Sequence, residues 1–449
     1  MSSPMTPELV RRMSAPVPRY TSYPTAPHFS PKVGAMEFGE GLRGLSPSQA
    51  LSLYVHIPFC AQMCWYCGCN TKATRNTETI ENYFQHLRTE ILMVAALVPG
   101  DKPLAHIHWG GGSPNSLSAD QIRRLAATLH SSFSIGPETE FAVEIDPRWL
   151  DDDQMAAFAD SGVNRVSVGV QDFNPEVQAA INRVQSVEMT ERAVQGMRAA
   201  GVRGINIDLV YGLPHQTEDS VANTIQEVIR LAPDRIALFG YAHLPSRAKH
   251  QTMIDETTLP GTMDRYRQSR RAEALLNDAG YVTVGLDHFA KPGDSLATGE
   301  IKRNFQGYTT DKAEALIGVG ASSISQLPSG YYQNAVPRAD YERRVKDTGL
   351  ATVKGILLSD DDRMRASVIE RLMCDFEFSK SSLQSVFGDL AKPVIDKAEE
   401  LVTADEEGLV VRTDDGFRVT ELGQPFVRAI ASCFDAYLGK GHSTFSAGV

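Results

Sequence analysis

At 449 residues the chain is too long for one compact core, so two domains with an additional segment are expected. Hydrophobic residues make up 42% and charged residues 22%, ordinary for a soluble globular protein. The formal charge of −11 leaves no overall positive field for nucleic acid. The longest apolar run, "ILMVAALV" (91–98), is too short to span a bilayer, and the N-terminus shows no apolar signal core, so a cytoplasmic location and no membrane span are expected.

Residues 1–48 hold many prolines and the string "PRYTSYPTAP" (18–27), which cannot form regular helix and reads as an extended N-terminal arm. From about residue 50 to 245, short β-branched runs alternate with longer helical patterns. The strand-like runs are "LSLYVHIP" (51–58), "AHIHW" (105–109), "FAVEID" (141–146), "RVSVGV" (165–170), "INIDLVYG" (205–212) and "RIALFGYAHL" (235–244). Amphipathic stretches lie between them, among them 79–92, 118–133 and 220–232, and Ser118 with Gln121 marks a capped helix start. Strict alternation predicts an α/β fold with a parallel sheet, open or closed toward a barrel, and six units fall short of the eight of a full barrel.

From about residue 351 to 449 the pattern is mainly helical. "TDDG" (413–416) predicts a hairpin turn between two alternating runs, and a last helix is expected over 424–438. That order is winged-helix-like, but "ADEE" (404–407) and the turn itself are acidic where a DNA reader needs lysines, so a lid or packing domain is expected.

Four of the six cysteines crowd into "CAQMCWYCGC" (60–69), spaced C-x3-C-x2-C-x-C at the end of the first strand. Zinc sites prefer two separated pairs, whereas thiolates gathered in one loop suit an iron–sulfur cube. A redox C-x-x-C formed by Cys64 and Cys67 leaves Cys60 and Cys69 unexplained. Cys374 and Cys433 stand alone and read as small buried hydrophobes. Gly110, Gly111 and Gly112 follow the second strand, where a backbone without side chains can approach a ligand. Glu144 and Asp208 interrupt otherwise apolar strands, and a buried carboxylate needs a partner, structural or ligand.

With "RYTSYPT" (19–25), "YVHIPFC" (54–60), "CGCN" (67–70), "HWGGGSP" (108–114), "NIDLVYGLP" (206–214), "YAHLP" (241–245) and "RNFQGYTT" (303–310), the chain resembles oxygen-independent coproporphyrinogen III oxidases of the radical S-adenosylmethionine (SAM) superfamily nearly end to end. The departures are mild: Ser113 stands where threonine is common and Tyr66 where phenylalanine is common. The resemblance implies a partial (β/α)6 TIM-like barrel over residues 49–350. It implies a [4Fe–4S] cluster on Cys60, Cys64 and Cys67, with the fourth iron left for SAM. Cys69, separated from Cys67 by one residue, is then no ligand but a residue of the reaction site.

By the same resemblance, Tyr54, Tyr66, Gly111, Glu144 and Ile324 hold the cluster-bound SAM. Gly112, Ser113, Gln171, Arg183, Asp208 and Ala242 surround a second SAM, giving two per chain. The implied reaction converts two propionates of coproporphyrinogen III to vinyl groups in haem biosynthesis, with an unidentified electron donor and acceptor and a monomeric enzyme. Arg19 and Arg303 are candidate propionate anchors, since a guanidinium fork matches a carboxylate. Two other classes are weighed. Haem chaperones of the superfamily typically lack the fourth cysteine and the "RYTSYPT" arm. A plain electron-transfer protein with a sealed four-cysteine cluster leaves the glycine motif unexplained.

Overall fold

The computed structural model describes residues 5–439 and residue 445; the remaining ends of the expected first and third segments lie outside the described residues. Six strands run parallel and side by side: β1 (Leu51–Ile57), β2 (Pro103–Gly111), β3 (Ser134–Ile145), β4 (Arg165–Gln171), β5 (Gly204–Tyr211) and β6 (Arg235–Gly240). They are the six runs expected from the sequence. Two short antiparallel strands, β7 (Val282–Val284) and β8 (His288–Ala290), extend the sheet beyond β6. On the other side, β9 (Ala315–Val319) joins β1 in parallel, followed by antiparallel β10 (Ile324–Leu327), β11 (Gly330–Asn334) and β12 (Thr352–Leu357). These make one 12-stranded sheet whose end strands, β7 and β12, do not meet, so the barrel is partial.

The strands alternate strictly between two environments, as a period of two requires. Leu53, Val55, Ile107, Trp109, Phe141, Val143, Val166, Val168, Ile205 and Ile207 are all buried in one continuous core beneath the helices. That core takes the apolar faces of helices such as Thr77–Leu97, Ala119–Ser132 and Glu218–Leu231. The second of these starts as the sequence predicts: Gln121 N–H donates to the Ser118 hydroxyl at 3.3 Å, and Ser118 N–H donates back to Gln121 Oε1 at 2.9 Å. The opposite strand face is polar and points into the barrel.

The arm is not simply extended. Residues Pro7–Met13 and Ala35–Arg43 are helical; the first is capped by Thr6 and carries its proline in the first turn, where it costs no hydrogen bond. Nor does the arm stand apart: Leu9, Val10, Tyr20 and Tyr23 are buried in a second core with Met364, Leu372, Phe417, Phe426 and Phe434 of the C-terminal region. The Arg428 guanidinium donates to the carbonyls of Val17 and Pro18, and Ser30 bridges to Gly355 on β12.

Beyond β12 come helices Asp360–Asp375, Lys380–Phe387 and Lys392–Ala404, with a three-stranded antiparallel sheet of Glu377–Ser379, Val410–Thr413 and Gly416–Val419. The hairpin turns at Asp414 and Asp415 as expected. The last helix is shorter than expected, Val427–Ser432, after a 3-10 turn at Gln424–Phe426. Cys374 is buried, but Cys433 is exposed, which corrects its reading as a core residue. Among the described residues, no helix is long and apolar enough to cross a membrane.

Candidate functional site

The cysteine loop leaves the C-terminal end of β1 and is tied at both ends. Phe59–Cys60 pairs with Lys72–Ala73, and Thr74 N–H donates to Cys60 O at 2.9 Å. In the middle, Trp65 N–H donates to Ile181 O at 2.9 Å, and Gln62 Nε2 donates to Asn182 Oδ1 at 2.9 Å. Gln251 Nε2 donates to the carbonyls of Tyr66 (2.9 Å) and Ala242 (3.1 Å), so these two expected site residues share one side-chain clamp. Tyr66 packs against Val177, Ile181, Val210 and Tyr241.

The thiols sit in differing surroundings. Burial pushes Cys60 up to about 12, with a 3.2 Å contact to the Thr71 hydroxyl opposing it. Cys67 is drawn down to about 7, first by its hydrogen bond with Cys69, whose own thiol is raised by the same contact. Cys69 N–H also donates to Cys67 Sγ at 3.4 Å. Two guanidinium groups donate to Cys64 Sγ, Arg148 Nη2 at 3.3 Å and Arg183 Nη1 at 3.5 Å. Both are also paired to Asp146, at 2.6 and 3.4 Å, and all three charged side chains are less than a tenth exposed. Two cations face one carboxylate and one sulfur there, so the charges balance when Cys64 is a thiolate, the form that binds iron. Among the described residues no three His, Cys, Asp or Glu side chains converge on a single-ion site. A cubane takes its thiolates at separate irons and suits three spread cysteines. Cys60, Cys64 and Cys67 fit such a cluster.

Gly110 and Gly111 end β2 and Gly112 follows it, and all three are closely packed. A Cβ on Gly110 would lie 2.6 Å from Glu144 Oε1, one on Gly111 2.2 Å from His56 Cε1, and one on Gly112 2.5 Å from Phe59 O. Gly111 also has φ +102°, a region that favours glycine. They let the β2 terminus close against Glu144 and the cysteine loop. Glu144 accepts from His108 Nε2 at 2.9 Å and Gly111 N–H at 3.2 Å. Burial alone would raise its carboxyl, but these donors outweigh it and hold it below its ordinary value. Tyr54 lies parallel to His108 with ring centroids 5.9 Å apart and meets His56 Nδ1 through its hydroxyl at 3.0 Å.

Of the second group of expected residues, Arg183 lies nearest the cysteines and also donates to Gly169 O at 2.6 Å. Gln171 has φ +71° at the end of β4, where the register shifts. Ser113 is buried, its hydroxyl donating to Asn115 Oδ1 at 2.5 Å and its N–H to Phe59 O at 2.7 Å. Asp208 lies deeper, accepting from the Ser167 hydroxyl at 2.6 Å and Asn206 Nδ2 at 2.7 Å; burial, then the nearby Glu144 charge, pushes it up to about 6. Ile324 opens β10, and its carbonyl crowds Gly318, where a Cβ would lie 2.7 Å away.

Glu144, Asp208, His108, Ser167 and Asn206 line the barrel interior, which leaves about 950 Å³ of unfilled space with open solvent included. Tyr308 and Gln306 border it from the segment quoted as "RNFQGYTT". Sequence reasoning missed His56, His108, Asp146, Arg148 and Gln251. Their signal was present for the two histidines: Tyr54/His56 and His106/His108 recur at a spacing of two, which puts them on the inner face.

Residues 54–228 match the Radical SAM superfamily and residues 358–426 the HemN C-terminal domain. The oxygen-independent coproporphyrinogen III oxidase of Bradyrhizobium diazoefficiens is 45% identical over 437 residues, covering 96% of this chain and 97% of that protein. The enzyme of the same name from Pseudomonas aeruginosa is 40% identical, covering 96% and 95%. The structure of coproporphyrinogen III oxidase (HemN) from Escherichia coli, a radical SAM enzyme, superimposes with a TM-score of 0.90 at 37% identity, covering 97% of this chain and 100% of that one. With the cysteine loop, the glycine turn and the polar barrel interior in place, and likeness along nearly its whole length, the chain belongs to the oxygen-independent coproporphyrinogen III oxidase family of the radical SAM superfamily.

Proposed function

We propose that this protein converts two propionates of coproporphyrinogen III to vinyl groups without oxygen, giving protoporphyrinogen IX for haem synthesis. Per propionate, a hydrogen atom, carbon dioxide and one electron leave. The observation that supports this reading most is family membership along nearly the full chain, at 45% identity. When bound, the cluster and SAM together supply the radical chemistry that removes the hydrogen.

The chain's own residues do the rest. Cys60, Cys64 and Cys67 hold the cluster, and Arg148 and Arg183 balance the Cys64 charge. Tyr54, Tyr66, Gly111, Glu144 and Ile324 seat the first SAM; Glu144, kept ionised by His108 and Gly111, is suited to an ammonium or hydroxyl group. Gly112, Ser113, Gln171, Arg183, Asp208 and Ala242 seat a second SAM. Asp208, raised to about 6, accepts hydrogen bonds as a carboxylate at neutral pH and donates one below it. Cys69 lies beside Cys67 as a residue of the reaction site rather than a ligand.

The enzyme acts as a cytoplasmic monomer with a separate electron donor and acceptor. Residues 1–48 and 351–449 form an arm and a packing domain around the barrel of 49–350. Anaerobic incubation of the reconstituted protein with SAM, a reductant and coproporphyrinogen III should yield protoporphyrinogen IX. Tight haem binding with no conversion would replace this reading with that of a haem chaperone.

A further inference from the structure

Outside the barrel interior lies a second cavity, about 710 Å³ of unfilled space with solvent at its mouth included, where arm, barrel wall and C-terminal region meet. Its walls are Arg19 from the arm, Tyr211 and Gly240 from the ends of β5 and β6, Arg265 from helix Thr262–Asp278, Arg303, and Arg428 from the last helix. These ends of β5 and β6 are on the same side of the sheet as the cysteine loop, since all three follow the C-terminal ends of parallel strands.

These four guanidinium groups line it beside one carboxylate, Asp287, whose charge acts on Arg303, Arg19 and Arg428 but not on Arg265. That carboxylate already accepts from His288 Nδ1 at 2.7 Å and lies 3.6 Å from Arg303 Nη1. The Arg303 side chain is 4% exposed, yet its Nε and Nη1 have no hydrogen-bond partner. It lies 4.5 Å over the Tyr308 ring, which faces the barrel cleft, so one aromatic layer separates the two cavities. Arg265 Nε is buried without a hydrogen-bond partner, and its guanidinium makes no ion pair among the described residues. The absence of a side chain at Gly240 lets it in: a Cβ there would lie 3.2 Å from Arg265 Nη2. Arg19 spends one N–H on Gly240 O at 2.8 Å. The other nearby carboxylates are engaged, Glu273 with Arg270 and Glu370 with the Arg303 backbone N–H.

A buried guanidinium without a carboxylate partner, as Arg265 is among the described residues, is costly to desolvate. Arg303 beside it has only the 3.6 Å contact with Asp287, and a bidentate carboxylate is the group whose geometry fits them. Burial lowers the affinity of Arg265 for its proton, and burial with repulsion from neighbouring guanidinium groups lowers that of Arg19 and brings Arg428 down to about 9. Here we infer that this cavity is a carboxylate seat, and that its occupant is a propionate of the porphyrinogen, anchored by Arg265 and Arg303 while another propionate reacts inside the barrel. The inference rests on the function proposed above. It also explains why the arm crosses this point: Arg19 closes the seat, and Arg428 holds the arm by its carbonyls.

The test is anaerobic fluorescence titration of the reconstituted protein with coproporphyrin III and with its uncharged tetramethyl ester. Arg265→Gln and Arg303→Gln should each weaken coproporphyrin III binding at least about tenfold, as loss of a charge-assisted hydrogen bond implies, and leave ester binding unchanged. Arg265→Lys should recover part of the affinity, which a merely structural role would not produce. Iron content and circular dichroism check that each variant is folded. Inorganic phosphate should compete with coproporphyrin III. Unchanged coproporphyrin III binding in both glutamine variants, or phosphate that stabilises the protein without competing, overturns the seat alone. No coproporphyrin III binding by the unaltered protein overturns the seat and the proposed function together.

Discussion

Replacing Asp146 by asparagine removes the one carboxylate that, among the described residues, Arg148 and Arg183 share, and leaves two desolvated guanidinium groups beside Cys64. The three side chains are 5 to 9% exposed, so solvent cannot take over the lost charge. Removing one partner of such a buried set costs about 3–5 kcal/mol. Asparagine keeps one acceptor, which places the expectation near the lower figure, about 3 kcal/mol. Spread over the unfolding entropy of a chain this long, that is a fall in melting temperature of roughly 3 °C if the chain unfolds as one unit.

The control is Asp160→Asn, which breaks the pair with Arg123 at 3.0 Å, where both side chains are about half exposed or more. That change should cost under about 1 kcal/mol. Urea unfolding of the cluster-free proteins measures both. Adding Arg148→Met to Asp146→Asn should recover part of the loss, because it removes one of the stranded charges. Equal costs for the two single asparagine variants would refute the idea that a desolvated ion set lies behind Cys64.

Changing Cys60, Cys64 or Cys67 to alanine should abolish the cluster by iron analysis, whereas Cys69→Ser should keep its iron and lose most decarboxylation; a collapse of iron in Cys69→Ser would make it a ligand. Equilibrium binding should count two SAM molecules per chain, and Asp208→Ala should remove one while sparing the cluster; a count of one in the unaltered protein would refute the second site. Deleting residues 1–24 should expose the core that Leu9, Val10, Tyr20 and Tyr23 share with Leu372 and Phe426, seen as early protease cleavage after residue 358, and undiminished protease resistance would show that this core does not need the arm. Glu90 is fully buried and titrates at about 7 in the folded chain against an ordinary 4.5, so the folded state holds a proton the unfolded state has released. Its contribution to stability is therefore present at low pH and is lost as pH rises from about 4.5 to 7; urea midpoints should show a slope over that range that Glu90→Gln flattens.

What the sequence made legible follows from how strongly each element advertises its period. The six parallel strands were readable because β-branched runs recur at regular intervals between capped helices, as at Ser118. The seventh parallel strand, Ala315–Val319, was not, because "ALIGV" is short and is followed by hairpin strands rather than a helix. The cysteine loop was legible from its spacing alone, but the charge set behind it was not. Asp146 and Arg148 follow β3 two residues apart, and Arg183 joins them from the loop after helix Pro175–Ala180. Arg183 alone was singled out, through the resemblance, and nothing local marks the three as one ion set.

The arm shows the same limit from the other side. Its prolines argue for an extended segment, which holds over "PRYTSYPTAP", where there is no α-helix, but not for Pro7–Met13 or Ala35–Arg43. Its function in the fold depends on partners some 400 residues away. Tyr20 donates to Asp435 at 3.0 Å, and Tyr23 accepts from Ala436 N–H at 2.9 Å. Such contacts close the chain on itself around the barrel, so the segment "RYTSYPT" is held by the C-terminal region at the tyrosines while Arg19 is directed at the end of β6. A residue that the sequence offers only as a candidate anchor in the arm is thus held at the barrel mouth. Its position is set by tyrosine packing on one side and by the Gly240 carbonyl on the other, so the arm ties the C-terminal core to the barrel mouth.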